Sequence, residues 1–381
     1  MRIVQILPSL DIGGMERLAV DLALQQRAEG HQATIYCTSH PGQLASQALD
    51  AGIPVHAFGK QDGFSPRLIL ALARRLRADR ADVLHAHNAL VLHYAVAAAR
   101  LAGVPVVINT RHGPNFRWDP HCEAIWRRTI HWADAVVFVS EGVRKHCTSY
   151  NRLSQKNTHV IYNGLNLESF LSHRAQPGAH RPQIRFGAVG RLVPSKAHTV
   201  LVRAFGQIAD TLPEAELHIL GDGPSRLDIA QTIESLGLSK RVTLHGASRD
   251  VAGFLSTLDI FVQSSIDEGL PISLMEAMAA GLPVISTRLP GLAELAPENI
   301  VAAYCAPGEP QALADAMLRV ARSRDLPSLG ERARNWATRF GIDETWRKYE
   351  MLFEDVLRRK SRSPLRHFVY HRSSSLFERG L

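Results

Sequence analysis

Short apolar runs rich in β-branched residues alternate, along nearly the whole chain, with longer stretches whose apolar positions recur every three or four residues. In the first half, segments 3–7, 34–37, 83–86, 106–109, 135–139 and 159–162 read as strands, and 15–29, 67–80, 90–101 and 122–132 as helices. Strands separated by helices need crossover connections, which make the sheet parallel and cover it with helices. The polar, Pro- and Gly-rich stretch 173–182 reads as a linker. The pattern then restarts, with strands at 184–189, 217–220, 242–245, 260–263 and 284–287 and helices at 197–210, 225–236, 271–280 and 311–323. Two doubly wound α/β domains in tandem are therefore expected, without the internal repeat that a solenoid requires. In such sheets ligands bind beyond the carboxyl ends of the strands, and between domains when there are two.

A length of 381 residues suits two domains, and 45 % hydrophobic with 21 % charged residues excludes a disordered or fibrous chain. The most apolar stretch, 94–108, is broken by Arg100, Gly103 and Pro105, too soon for a membrane-spanning helix. The opening residues read as a strand and a loop, with no cleavage site behind them, so a cytoplasmic protein is expected. Cys37, Cys122, Cys147 and Cys305 form no CxxC pair and are expected to be buried thiols. His85 and His87 have no carboxylate or thiol at ligand spacing. The net charge is +8, of which the last 24 residues, from Arg358, hold +6. A nearly neutral body argues against nucleic acid as a partner. The tail interleaves its cations with Phe368, Tyr370 and Phe377, a composition suited to an anionic membrane surface, and the arginines of segment 67–80 offer a second basic contact.

Four constellations carry candidate chemistry, each next to a predicted strand end or helix start. Gly13 and Gly14 follow the first strand, where a close backbone approach and a helix N-terminus suit a phosphate. Arg191 and Lys196 follow the strand at 184–189, and two cations there suit a diphosphate. In Glu268-Gly269-Leu270-Pro271 and the helix behind it, Pro271 suits the first helical position and Gly281 the residue past the end. Side chains in a helix lean toward its N-terminus, so Glu268 and Glu276 can address one ligand, and carboxylates accept hydrogen bonds from sugar hydroxyls. His112, within Thr110-Arg111-His112-Gly113, follows another strand and is placed for polar or proton-transfer work.

Taken together, GGMERLAVDLA, DVLHAHN, NTRHG, VSEGVRKHC, VIYNGLN, VGRLVPSK, LGDGP and EGLPISLMEAMAAGLPVIST resemble the family 4 glycosyltransferases with the GT-B fold. The resemblance implies two Rossmann-like domains facing a central cleft: an acceptor domain at 1–172, a linker at 173–183 and a nucleotide-sugar donor domain at 184–343. A helix at 344–357 would return to the first domain, leaving the basic tail 358–381. It implies a retaining transferase moving a sugar from a UDP- or GDP-sugar to a glycan or lipid-linked acceptor in cell-surface polysaccharide or glycolipid synthesis. The donor would be held by Gly13, Gly14, Arg191, Lys196, Glu268, Gly269, Leu270 and Glu276. Glu276 would bond the ribose, Glu268 the transferred sugar, and Arg191 and Lys196 the diphosphate, with His112 beside the transferred sugar. No Asp-x-Asp pair is present, so cations of the chain would take the place of a metal, and no cofactor is expected. The competing class is a nucleotide-sugar epimerase on the same architecture, peripheral attachment to the inner face of a membrane being the expectation for the transferase.

Overall fold

The computed structural model describes residues 1–113, 120–149, 153, 157–178 and 183–362. Two parallel sheets form in chain order. The first contains β1 (Arg2–Leu7), β2 (Gln32–Cys37), β3 (Val55–Ala57), β4 (Val83–His87), β5 (Val106–Arg111), β6 (Ala135–Phe138) and β7 (Thr158–Val160), in the order β3-β2-β1-β4-β5-β6-β7. The second contains β8 (Arg185–Val189), β9 (Glu216–Leu220), β10 (Val242–Gly246), β11 (Ile260–Gln263), β12 (Val284–Thr287) and β13 (Ala303–Cys305), in the order β10-β9-β8-β11-β12-β13. Strands such as β4, β5 and β6 are buried at every position, as both-face coverage by helices requires. The order reverses between β1 and β4 in one sheet and between β8 and β11 in the other, and a crevice opens at each reversal. The glycine loop leaves β1, the Arg191–Lys196 loop leaves β8 and the Glu268 loop leaves β11, so the motifs sit at these two crevices.

Two edge strands, β3 and β13, escape the sequence pattern because three residues, Val-His-Ala and Ala-Tyr-Cys, are too few to show a period. Of the expected linker, the described part is anchored: Ala175 is buried and its N–H bonds the Ala280 carbonyl, and Gly178 N–H bonds Asp259. Residues 179–182 lie outside the described residues. All four cysteines are buried. No helix among the described residues is long and apolar enough to cross a membrane.

The last helix is longer than the sequence suggests, running Ile342–Ser361 with Asp343 and Glu344 in its first turn and Arg358, Arg359 and Lys360 in its last. That charge distribution follows the helix dipole. It also changes the reading of the tail. Arg358 faces Glu354, Arg359 pairs with Asp355, and Lys360 pairs with Asp134 and donates to the Pro105 carbonyl at 2.6 Å. These three cations have acidic partners within the fold; residues 363–381 lie outside the described residues. The helix buries Trp346, Tyr349 and Phe353 on the first sheet, where the Phe353 ring packs edge-on to His85 at 5.8 Å and to Trp346 at 5.9 Å. The Tyr349 hydroxyl hydrogen-bonds Thr110 Oγ1 at 2.9 Å, on the strand that leads to His112. Phe353→Ala should therefore destabilise the protein by about 3–5 kcal/mol, the usual cost of an emptied aromatic site in a core, as read from the urea midpoint.

Candidate active site

Between the sheets lies a cavity of about 490 Å³ whose walls include every candidate named from the sequence: Gly13, Gly14, His112, Arg191, Lys196, Glu268, Gly269, Leu270 and Glu276. Two helix starts open onto it, those of Gly14–Ala28 and Ile272–Ala279, and neither has a side-chain cap. Their first N–H groups and positive dipole ends are thus left for an anion. Pro271 occupies the N-cap rather than the first helical position, with extended ψ of 121°, and Gly281 stands past the end in the left-handed region at φ +83°.

The loop bearing Arg191 is shaped by backbone pairing. Leu192 N–H bonds the Asp222 carbonyl at 2.9 Å, and Ser225 N–H bonds the Leu192 carbonyl at 2.9 Å. This crossing requires glycines: Gly221 and Gly223 have φ of +144° and +156°, and a Cβ on them would lie 1.9 Å from the Gly190 carbonyl oxygen and 2.5 Å from that of Leu192. The LGDGP motif is therefore a clamp on the Arg191 loop. Arg191 itself is exposed and forms no ion pair or side-chain hydrogen bond among the described residues. Lys196 differs. Its ammonium group donates to Glu268 Oε1 at 2.5 Å, and the same oxygen accepts from Gln263 Nε2 at 2.8 Å and Ser265 Oγ at 2.7 Å. Three donors on one oxygen fix the carboxylate and leave Oε2 without a partner among the described residues. Gln263 and Ser265 were not singled out from the sequence; their signal was only a polar end to an apolar strand.

Glu276 is buried, 6 % exposed, and its carboxylate accepts no hydrogen bond from the described residues. Burial pushes its pKa up to about 7, opposed by Arg17 and reinforced by Asp21, both from the helix across the cleft. Glu16, quoted within a motif but given no role, lines the same cavity. Burial raises it to about 6 against the pull of Arg191. Its carboxylate lies beside Gly13: the φ of −170° there is open to any residue, and a Cβ would lie 2.3 Å from Glu16 Oε2, so a larger residue would have to displace that carboxylate.

His112 Nε2 hydrogen-bonds His87 Nδ1 at 3.1 Å, and His87 Nε2 hydrogen-bonds Gln5 Oε1 at 2.6 Å. His87 thus serves as a buried support, and His85 bonds Thr110 Oγ1 at 2.7 Å. Among the described residues no group of side chains is arranged to hold a metal. Burial, with Arg111 alongside, lowers the His112 pKa to about 3, so it is a neutral imidazole near pH 7 and not the acid that a proton-transfer role would need. Its carbonyl meets the other domain directly: a Cβ on Gly269 would fall 2.0 Å from it, and Gly291 packs as tightly on the Gly269 carbonyl. The faces are joined further by Asn163 Nδ2 donating to the Leu270 carbonyl at 2.9 Å. Glu294 accepts from the N–H groups of Glu141 and Gly142 and from the Tyr162 hydroxyl at 2.6 Å.

The raised pKa of Glu276 has a thermodynamic sign. The folded state holds its proton between about pH 4.5 and 7 while the unfolded chain releases it, so stability contributed by this site falls as pH rises through that window. Glu276→Gln should therefore melt higher than wild type at pH 8, by an amount worth up to about 3 kcal/mol, with the difference vanishing below pH 4.5. Paired thermal melts across pH 4.5–8 measure it.

Residues 12–169 match the model described as Glycosyltransferase Family 4, and residues 183–323 the model described as Glycosyl transferases group 1. The N-acetyl-alpha-D-glucosaminyl L-malate synthase of Bacillus anthracis is 25 % identical over 364 residues, covering 91 % of this chain and 95 % of that protein. The UDP-Gal:alpha-D-GlcNAc-diphosphoundecaprenol alpha-1,3-galactosyltransferase of Escherichia coli is 27 % identical over 242 residues, 58 % of this chain and 62 % of that one. In fold, Anabaena HepE, solved in complex with UDP and glucose, superposes with a TM-score of 0.80 at 20 % identity, covering 93 % of this chain and 99 % of that one. With its two parallel-sheet domains in the GT-B arrangement, the chain belongs to the family 4 glycosyltransferases and is a sugar-transferring enzyme.

Proposed function

We propose that the enzyme transfers a sugar from a UDP-sugar, with retention of anomeric configuration, to an anionic glycan or lipid-linked acceptor. The observation that carries this reading is one cavity in which Arg191, which forms no ion pair among the described residues, faces two carboxylates, Glu268 and Glu276, each with acceptor capacity unused among those residues. Cations and helix N-termini suit a diphosphate; carboxylates suit hydroxyls. Uridine is favoured by the HepE complex with UDP and by the UDP-Gal named for the Escherichia coli relative. An anionic acceptor is favoured because L-malate and GlcNAc-diphosphoundecaprenol, named for the two relatives, both carry negative charge. An acceptor of the second kind lies at a membrane, where the remaining cations of the tail beyond Arg362 would add attraction. Nothing in these comparisons favours the epimerase reading.

In this reading Arg191 and the Ile272–Ala279 helix start hold the diphosphate, Glu276 accepts from the ribose hydroxyls, and Glu268 Oε2 accepts from a hydroxyl of the transferred sugar. Lys196 does two jobs: it fixes Glu268 and adds positive potential toward the phosphates. As the anomeric C–O bond breaks, negative charge grows on the departing phosphate oxygen, and preorganised cations lower the barrier. The acceptor oxygen forms its bond to the anomeric carbon on the same face, and its proton passes to that phosphate oxygen. This route needs no acid from His112, consistent with its neutral imidazole. The neutral ring and the His112 carbonyl remain to orient the sugar.

Thermal-shift measurements with UDP, GDP, ADP and their sugars identify the donor, since only a ligand of the folded state raises the melting temperature. With that donor, Arg191→Ala should cut turnover about 10²-fold or more, and activity should persist in EDTA. A double Arg191/Lys196 alanine variant that folds and turns over normally would sink the assignment, as would EDTA inactivation reversed by Mg²⁺. Calorimetry separates the carboxylates: Glu276→Gln should weaken nucleoside diphosphate binding, whereas Glu268→Gln should slow transfer and leave that affinity near wild type. Equal losses in both would reject the division of roles.

A further inference from the structure

We propose that the rim of the cleft carries an aromatic subsite in which Phe64, backed by Tyr94 and flanked by Lys60, receives a pyranose ring of an anionic acceptor. The proposal rests on the transferase reading and locates the part of the acceptor behind the reacting hydroxyl.

Phe64 is 69 % exposed, the largest exposure of any phenylalanine or tryptophan among the described residues. It precedes Ser65, the N-cap of helix Pro66–Ala78, whose hydroxyl accepts from Leu68 N–H at 3.3 Å. An apolar side chain at that place ordinarily folds down against the fourth helical residue, here Ile69, as a staple. Phe64 instead stands outward, and its backbone is held there on both sides. The Tyr94 hydroxyl donates to the Gly63 carbonyl at 3.3 Å and accepts from Ser65 N–H at 3.0 Å. Gly63, at φ +86°, supplies the left-handed turn that this requires. The two rings stack with centroids 5.8 Å apart and planes 17° apart, so Phe64 is a supported platform rather than a loose side chain.

Charge singles out the same place. Lys60 Nζ lies 5.8 Å from the Tyr94 ring centroid and donates to the Gln61 carbonyl, with no ion pair among the described residues. His93 packs on Tyr94 with ring centroids 4.0 Å apart, and burial followed by the Lys60 charge lowers its pKa to about 4. Lys60 is therefore the cation of the group. The platform is tied to the reaction cavity through one helix. Asn88, in the cavity wall, is the N-cap of Ala89–Ala102, and Tyr94 follows six residues on, ~9 Å along the axis. Asn88 holds φ 70°, a conformation that costs energy outside glycine.

A ring face exposed in this way suits the C–H-rich face of a pyranose, whose polarised hydrogens meet the negative face of the aromatic ring. Lys60, over the Tyr94 ring that backs it, suits a phosphate or carboxylate as a point charge. A lipid-linked sugar phosphate and a soluble one share this chemistry.

Saturation-transfer NMR with glucose 1-phosphate tests the proposal, in the presence of saturating UDP so that the donor pocket is filled. Wild type should transfer saturation to the ring protons of glucose 1-phosphate, more weakly to methyl α-glucoside and least to glycerol 3-phosphate. Phe64→Ala should weaken glucose 1-phosphate by at least about fivefold, and Lys60→Met should reduce it to the level of methyl α-glucoside, while UDP binding and the melting temperature hold. A prenyl-linked glucose phosphate in micelles, bound more tightly than the free form and still dependent on Phe64, identifies the lipid source; equal binding identifies the soluble one. No glucose 1-phosphate signal in wild type, or undiminished binding in both variants, overturns the proposal. Absence of UDP binding would instead count against the donor reading, and a Phe64-dependent sugar signal would survive it.

Discussion

A carboxylate with no hydrogen-bond partner stays charged in a protein interior only where positive potential surrounds it. Glu276 is such a group, and much of the enzyme can be understood as the means of keeping it usable. It stands on Ile272–Ala279, near a helix start that carries positive potential and no cap. Arg17 adds a cation from the other domain, across the cleft. The potential is enough to bring the group to the edge of ionisation near neutrality, and no further. A ligand with two adjacent hydroxyls supplies the missing donors, which favours the charged form. The site is thus least comfortable when empty, and the contacts that join the domains have to hold it together in that state.

Those contacts are of a kind that tolerates little change. Gly269 meets the His112 carbonyl backbone to backbone, and Gly291 meets Gly269 in the same way, so three segments from two domains converge without a side chain between them. Glu294 caps the helix start at Glu141 from across the interface. Since polar backbone atoms buried there need partners, loss of one contact leaves others unsatisfied. These contacts tie the position of His112 at one end to that of Glu268 and Gly269 at the other, the residues that in the proposed function face the transferred sugar.

Much of this was legible in the sequence because its logic is local. A parallel sheet puts ligand groups at strand ends, so a glycine pair, an Arg–Lys pair and a two-glutamate helix next to strands could be read as one site without knowing how the sheets meet. What could not be read depends on contacts between distant segments. Lys196 and Glu268 were assigned to different parts of the ligand, yet they bond each other, 72 positions apart in sequence. Gly13 was read for a close backbone approach to a ligand, but which neighbour sits beside it, the Glu16 carboxylate three residues on, appears only in the fold. That the first residues of the tail belong to the last helix could not be read either, because a helix end and a basic tail look alike until Asp134 and Asp355 are seen beside them.

The two walls of the cleft differ in how they are built, and in the proposed function the difference follows from what each would recognise. On the donor side the Arg191 loop is crossed by backbone hydrogen bonds from the Gly221–Ser225 turn, and Glu268 is held by three donors. A diphosphate and a ribose are invariant parts of any nucleotide sugar, so rigid groups preset to them lose little entropy on binding. Asn88 in the opposite wall is the N-cap of the helix that carries Leu90 and Tyr94, and Phe64 and Leu90, both exposed, and Lys60 lie on a loop and on the outer face of that helix. Substitution there costs the fold little, since those groups are already outside the core. A rigid donor wall facing a permissive acceptor rim allows one architecture to keep its transfer chemistry while the molecule that receives the sugar changes.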